Sequence, residues 1–209
     1  MGSVMNGIAV APGVTLWRTR FSKAEQKALL DAVLARIEQA PFYRPMMPGS
    51  GKAFSVEESN FGPLGWVSDK SGYRYQPTHP VTAKAWPDIP DMLMALWHAI
   101  AEAPDAECCL INLYRGDAKM GLHQDKDEKA LGAPVVSVSL GDDALFRIGG
   151  ETRRGSTRSV PLSSGDVVMF GGPARLAYHG IDRIRPGSSS LVPGGGRINL
   201  TLRRVTPPR

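Results

Sequence analysis

Apolar residues recur every three or four positions in two stretches of the chain, which predicts two amphipathic helices. The first helix follows Ser22, whose spacing to Glu25 is that of a capping box, and it ends before Pro41. The second runs from near Pro90 to Ala103. Each helix would pack one apolar face on a sheet, formed in the first by Leu29, Leu30, Val33, Leu34 and Ile37, and in the second by Leu93, Leu96, Trp97 and Ile100.

Short β-prone runs separated by Gly, Pro and Asp occupy most of the second half of the chain, a pattern typical of a sandwich or barrel. An apolar segment from Ile8 to Leu16 with a Pro-Gly break predicts one more strand and a turn near the start. The expected fold class is therefore mostly β with flanking helices (α+β). The later strands are predicted at Cys108–Tyr114, Val135–Leu140, Ala144–Ile148, Arg158–Leu162, Asp166–Phe170, Leu176–Tyr178 and Arg197–Val205.

Polar and apolar residues alternate along the last predicted strand, so its two faces differ in character. A solvated edge strand would explain this pattern. So would a binding face for a small dicarboxylate, because the planar fork of arginine suits a carboxylate better than the point charge of lysine. The polar face carries Arg197, Asn199, Thr201 and Arg203, and the apolar face carries Ile198, Leu200 and Leu202.

Composition and charge set broad limits. A chain of 209 residues with 42% hydrophobic residues is expected to form one domain, residues 1–209, with a sizeable core. No apolar run is long enough to span a bilayer, so no membrane partner is expected. The net charge of +5 favours an anionic partner such as nucleic acid, although many enzymes are mildly basic.

The start of the chain and its two cysteines bear on the compartment. Residues 1–6 show neither a secretory signal pattern nor a myristoylation pattern. Cys108 and Cys109 are adjacent, which disfavours a disulfide between them and favours buried thiols in a reducing compartment. A cytoplasmic protein is expected.

A metal site is the first chemical hypothesis. His123 and Asp125 are two residues apart on an extended segment, so their side chains point to the same side. His179 is the best candidate for a third ligand. Two histidines and one carboxylate form the facial triad of non-haem Fe(II) oxygenases and leave three positions open. His-x-Asp also occurs by chance, and a histidine before glycine is often only a loop residue.

Four motifs occur in a fixed order along the chain: Asn112-x-Tyr114, His123-x-Asp125, His179 and Arg197-x-Asn199-x-Thr201-x-Arg203. With these motifs the chain resembles the AlkB family of Fe(II)- and 2-oxoglutarate-dependent dioxygenases, which strengthens the metal hypothesis. The similarity extends from about Ile8 to Arg203. It implies a double-stranded β-helix (jelly-roll) core over residues 105–205, with Fe(II), 2-oxoglutarate and O₂ as cofactors.

The resemblance also implies roles for the residues of these motifs. His123, Asp125 and His179 would hold the metal. Arg197, helped by Tyr114 and Asn199, would bind the distal carboxylate of 2-oxoglutarate. Arg203 and Asn112 would bind the end of 2-oxoglutarate that lies near iron.

A long connection, residues 42–88, separates the two predicted helices and is rich in Gly, Pro and aromatic residues. By resemblance it is an N-terminal nucleotide-recognition lid. Trp66 would stack on a flipped base and Tyr73 would assist it, although either could simply belong to a buried aromatic cluster. A departure from the family pattern occurs at Glu57 and Glu58, in a segment that is more apolar in the best-known relative.

Two candidate substrate contacts lie outside the lid. By resemblance, Asp127 would contact the exocyclic amine of the substrate base, and it could attract a cationic base. It could also be a plain surface carboxylate. Arg153 lies in a basic loop that would contact phosphates, with a solvated hairpin as the alternative.

The expected function is oxidative demethylation of 1-methyladenine and 3-methylcytosine in DNA, releasing formaldehyde, succinate and CO₂. Alkylated single strands are the expected partner because unstacking costs least there, with double-stranded DNA or RNA also considered. A monomer is expected. The alternatives are a demethylase of methylated RNA and a nucleic-acid-binding module without catalysis.

Overall fold

The computed structural model describes residues 7–207, so the prediction about residues 1–6 lies outside the described part of the chain. Two antiparallel sheets form the body of the protein. The major sheet has seven strands, and the minor sheet has four. In spatial order the major sheet is β1 (Ile8–Ala11), β2 (Val14–Trp17), β11 (Val167–Phe170), β8 (Val135–Gly141), β13 (Arg197–Arg203), β6 (Cys108–Tyr114) and β3 (Glu57–Phe61), and the minor sheet is β10 (Arg158–Leu162), β9 (Asp143–Ile148), β12 (His179–Arg185) and β7 (Met120–His123).

Two helices cover the outer face of the major sheet. Helix α1 (Lys23–Ile37) begins at the predicted capping box, where the backbone of Glu25 donates to the Ser22 side chain and the Glu25 carboxylate accepts from the Ser22 backbone. Helix α2 (Asp91–Ile100) buries Leu93, Leu96 and Trp97. The apolar residues of both helices share one buried cluster with Ile198, Leu200 and Leu202 of β13. The helices and the apolar face of β13 are therefore confirmed.

The opposite face of the major sheet packs on the minor sheet. A second buried cluster joins Leu16 and Phe170 of the major sheet to Phe146, Ile148 and Ile181 of the minor sheet. The result is a sandwich with helices outside, which confirms the predicted fold class.

A small third sheet belongs to the predicted lid. Strands β4 (Gly65–Asp69) and β5 (Gly72–Gln76) form a hairpin, and Trp66 and Tyr75 from it pack on Cys108 and Leu110 of β6 in the major sheet. The segment 42–88 also contains β3, which pairs with β6 as the outermost strand of the major sheet. The predicted lid segment is thus built directly onto the major sheet.

One predicted strand is wrong. Residues 176–178 do not form a strand, and the strand begins instead at His179. A 3-10 turn at Gly172–Ala174 precedes it, and the backbone N–H of Ala177 donates to Ala174, so these groups make local bonds rather than ladder bonds. Among residues 7–207, no helix has the length and apolar character needed to cross a membrane.

Candidate iron and 2-oxoglutarate site

Strand pairing in the minor sheet brings the three predicted metal ligands together. His123 at the end of β7 and His179 at the start of β12 are directly opposite each other, and Asp125 follows β7 by two residues. The Asp125 carboxylate lies 3.7 Å from Nε2 of His123 and 3.8 Å from Nε2 of His179. One nitrogen or oxygen from each of the three residues lies within 4.8 Å of the others, which suits a shared metal ion.

Both histidines are oriented for metal binding by their other ring nitrogen. Nδ1 of His123 lies 2.9 Å from the carbonyl of Gly121, and Nδ1 of His179 lies 3.0 Å from the carbonyl of Ala177. Because a carbonyl only accepts, each Nδ1 carries the proton, which leaves the lone pair of Nε2 free to bind a metal.

The protonation states also suit a metal. Burial, followed by the nearby charge of His123, lowers the pKa of His179 to about 4, so this imidazole is neutral at neutral pH. Burial alone would raise the pKa of Asp125, but the charge of the Arg203 guanidinium and its hydrogen bonds to the carboxylate oppose burial, and that pKa lies well below its usual range. The site therefore presents neutral imidazole and a carboxylate, the forms that bind a metal.

A network of buried hydrogen bonds holds Asp125 in place. Nε and Nη2 of Arg203 donate to Oδ2 of Asp125 at 3.0 and 2.8 Å, so in this structure Arg203 is bound to the predicted metal ligand. Arg175 donates to the backbone carbonyl of Asp125 and, at 3.0 Å, to Glu128. Glu128 in turn accepts a short hydrogen bond from the Tyr75 hydroxyl. The network thus connects the β4–β5 hairpin to the candidate metal site.

Four of the predicted 2-oxoglutarate residues lie side by side on the inner face of the major sheet. The register places Asn112 opposite Asn199, and Tyr114 opposite Arg197. The Arg197 guanidinium lies over the Tyr114 ring, 5.3 Å from its centroid, and Nη2 donates to the Ser139 hydroxyl at 3.0 Å. These four residues and Arg203 line the same cavity.

Arg197 has the properties of an anion-binding group. Its side chain is 1% exposed, yet Nε and Nη1 have no hydrogen-bond partner among the described residues. Leaving buried charged N–H groups unpaired is costly, and a carboxylate beside the guanidinium would supply the acceptors that they lack. The residues present therefore fit the distal carboxylate of 2-oxoglutarate.

The cavity extends from these groups to the predicted lid. Its volume is about 390 Å³, and its wall includes the metal triad, the 2-oxoglutarate residues and all four predicted substrate residues. Nε1 of Trp66 donates to Oδ2 of Asp127 at 2.8 Å, and the Trp66 ring stacks on Tyr73 with centroids 5.4 Å apart. Tyr73 is exposed, and Arg153 is an exposed member of the lining. The structure thus brings every predicted site residue to one cavity.

Sequence reasoning misses the supporting residues of this site. Arg175 is 3% exposed and lies in a turn, where nothing in the sequence distinguishes it from a surface arginine. Glu128 follows the His123-x-Asp125 motif by three residues, but its buried pairing with Arg175 is not evident from that position. Ser139 could be found from its position in the alternation of β8.

Comparisons with known proteins agree with this geometry. A family model described as the 2OG-Fe(II) oxygenase superfamily matches residues 13–203. The alpha-ketoglutarate-dependent dioxygenase AlkB homolog of Caulobacter vibrioides is 55% identical over 203 residues, which covers 95% of this chain and 90% of that protein. AlkB of Escherichia coli K12 is 43% identical over 200 residues, covering 93% and 91%.

A solved structure supports the fold. The structure of OsALKBH1 matches with a TM-score of 0.79 and 30% identity, covering 95% of this chain and 100% of that one. The jelly-roll prediction is confirmed by this match together with the family model. The chain is thus an Fe(II)- and 2-oxoglutarate-dependent dioxygenase, and it belongs to the AlkB family of the 2OG-Fe(II) oxygenase superfamily.

Proposed function

We propose that this enzyme removes N-methyl groups from alkylated bases in DNA, with 1-methyladenine and 3-methylcytosine as substrates and single strands preferred. The observation that carries the proposal is the shared cavity, in which the His123, Asp125 and His179 side chains lie in the same wall as the Trp66–Asp127 pair. A base held by that pair would face the oxidising centre.

The chain's residues bind and orient the reactants in this scheme. His123, Asp125 and His179 would hold Fe(II), and Arg197 would pair with the distal carboxylate of 2-oxoglutarate. Arg203 keeps Asp125 ionised and fixed in place. When bound, Fe(II) with 2-oxoglutarate and O₂ supplies the oxidising power that hydroxylates the N-methyl group, with succinate and CO₂ as products and formaldehyde lost from the base.

The lid residues would recognise the nucleotide. The Trp66 indole offers a stacking face that every base can use, and the hydrogen bond to Asp127 fixes the orientation of the ring. Asp127 is exposed at the cavity wall, where its carboxylate can accept from an exocyclic amine. Arg153 would contact a phosphate beside the flipped base. Residues 42–88 would then act as the recognition lid over the core at 105–205.

The proposal also includes the oligomeric state and the cellular compartment of the protein. Cys108 and Cys109 are buried, free thiols, which supports a cytoplasmic location. A monomer that binds nucleic acid alone is consistent with a net charge of +5.

A mass measurement on matched strands tests the substrate. Single-stranded DNA and RNA of the same sequence, each with one 1-methyladenine, are incubated with the protein, Fe(II), ascorbate and 2-oxoglutarate. Loss of one methyl mass that is faster in DNA supports the proposal. Faster loss in RNA would replace DNA by RNA as the substrate, and loss from neither strand would refute base demethylation.

A further inference from the structure

A buried carboxyl group in the cavity has no role in the scheme above. The side chain of Glu58 on β3 is 0% exposed, and it is part of the cavity wall. Neither carboxyl oxygen has a hydrogen-bond partner among the described residues. Buried carboxyl groups are normally paired, so an unpartnered one in a binding cavity suggests a ligand.

Glu58 lies between the predicted 2-oxoglutarate residues and the strand that carries Trp66. Its strand places it directly opposite Asn112, which is opposite Asn199 in turn. Asn60 is two residues along the same strand and therefore shares the face of Glu58, and its side chain bonds both backbone polar groups of Trp66. Glu58 thus adjoins the 2-oxoglutarate residues on one side and the strand of the lid tryptophan on the other.

The local charges leave Glu58 without a cation of its own. The nearby cation is Arg203, which already donates to Asp125 and lies 3.4 Å from Glu128. Among the described residues, the phenols of Tyr43 and Tyr114 also interact with Glu58, and their pKa values are raised, first of all by burial. Burial likewise raises the pKa of Glu58 to about 8, against the charge of Arg203. A cationic ligand would supply the missing partner.

We propose that Glu58 is a specificity-determining residue that favours bases carrying a positive charge over neutral methylated bases of similar shape. This inference rests on the proposed function and assigns one residue of the cavity to the choice among its substrates. Methylation at N1 of adenine or N3 of cytosine makes the base cationic, and a carboxylate near it gains attraction that a neutral base cannot provide. The carboxyl group releases its proton to solvent when such a base enters.

A second role for the Glu58 carboxyl group can be distinguished from charge selection by experiment. Because Glu58 adjoins Asn112, a protonated carboxyl could instead donate to 2-oxoglutarate. That role would change the KM for 2-oxoglutarate and leave the choice of base unaffected. Selection by charge would instead change the choice of base and leave the KM for 2-oxoglutarate unaffected.

The test compares a cationic base with a neutral one. Single strands carry either 3-methylcytosine or 3-methylthymine, and kcat/KM is measured for each with wild type, Glu58→Gln and the control Glu57→Gln. Glu57 is the adjacent residue on the opposite face of β3, half-buried and 3.4 Å from Arg44. We expect the ratio of the two kcat/KM values to fall about tenfold in Glu58→Gln. It should stay unchanged in Glu57→Gln, and the KM for 2-oxoglutarate should stay within about twofold.

A second variant protects the test against misfolding. Glu58→Met keeps the length of the side chain and removes its charge, so it should fold at least as stably as wild type and lose the same selectivity. Selectivity retained in both variants would overturn the proposal, as would a raised KM for 2-oxoglutarate with selectivity intact. If wild type demethylates neither base, the proposed function fails and this assignment fails with it.

Discussion

His123 and His179 lie directly opposite each other on β7 and β12, with ring centroids 4.5 Å apart. Residues far apart in sequence are brought together by one rung of an antiparallel ladder. Shifting the register by one residue would send one ring to the other face of the sheet. The candidate metal site therefore depends on the register of the minor sheet as much as on the identity of the ligands.

Arg197 should control affinity for 2-oxoglutarate. Its unpaired buried N–H groups make it the expected partner of the distal carboxylate, so Arg197→Gln should raise the KM for 2-oxoglutarate about 100-fold. Thermal unfolding with Mn(II), with and without 2-oxoglutarate, provides a reading independent of turnover. The co-substrate should stabilise wild type but not the variant.

Arg204→Gln is the matched control for that experiment. Arg204 directly follows β13, and its guanidinium bonds Thr206 and Asp105 instead of lining the cavity. The KM of this variant for 2-oxoglutarate should match that of wild type. Equal stabilisation of Arg197→Gln and wild type by 2-oxoglutarate would contradict the assignment.

Trp66 should contribute to nucleic-acid affinity in two ways. Trp66→Ala removes the stacking face and should weaken binding of a methylated single strand by about 2 kcal/mol, roughly 30-fold. Trp66→Phe keeps a ring but loses the hydrogen bond to Asp127, so an intermediate loss is expected. Fluorescence anisotropy measures both, with Trp17→Phe on β2, outside the cavity, as the control. Unchanged affinity in Trp66→Ala would show that the ring serves only the packing of the β4–β5 hairpin.

Glu128 should couple the β4–β5 hairpin energetically to the core of the protein. Glu128→Gln breaks a buried pair with Arg175 and should lower the free energy of unfolding by about 3 kcal/mol. Tyr75→Phe removes one hydrogen bond and should cost about 1 kcal/mol. Denaturant unfolding of the single and double variants forms a cycle, in which the shared bond makes the two losses less than additive. If the losses of the two single variants add up to the loss of the double variant, the hydrogen bond between Tyr75 and Glu128 contributes nothing to stability.

Glu58 should make stability depend on pH in an unusual direction. Its folded pKa of about 8 is above the ordinary value of 4.5, so between these values the native state binds more protons than the unfolded state. The contribution of Glu58 to stability therefore falls as pH rises from 4.5 to 8, by at most about 1.4 kcal/mol per pH unit. Unfolding free energies of wild type minus Glu58→Gln should show this slope, and a flat difference would mean that Glu58 ionises normally.

Local patterns in the sequence predict much of this architecture. The capping box at Ser22 and the alternation along β13 concern neighbours in the chain, so the rules for helix ends and strand faces apply to them directly. The candidate ligands are recognisable because the spacing of His123 and Asp125 is local, whereas the choice of His179 is strengthened by resemblance to a family. Short-range periodicity is therefore enough to predict the fold class.

Features that depend on long-range pairing cannot be predicted in this way. The start of β12 is missed because its exposed polar residues Asp182, Arg183 and Arg185 hide the alternation, and a bulge interrupts its register. Arg175 meets Glu128 across 47 positions of sequence, so neither residue alone indicates a buried pair. Such contacts follow from the way the turns fold back, which no local pattern encodes.

The most direct test of the central claim measures products together. Wild type and Asp125→Ala are given Fe(II), O₂, 2-oxoglutarate and a single strand with 1-methyladenine, and formaldehyde, succinate and unmethylated base are quantified. The account predicts equal amounts of all three from wild type and none from the variant, whose fold is checked by circular dichroism. Demethylation that persists in Asp125→Ala, or that proceeds without 2-oxoglutarate, would contradict it.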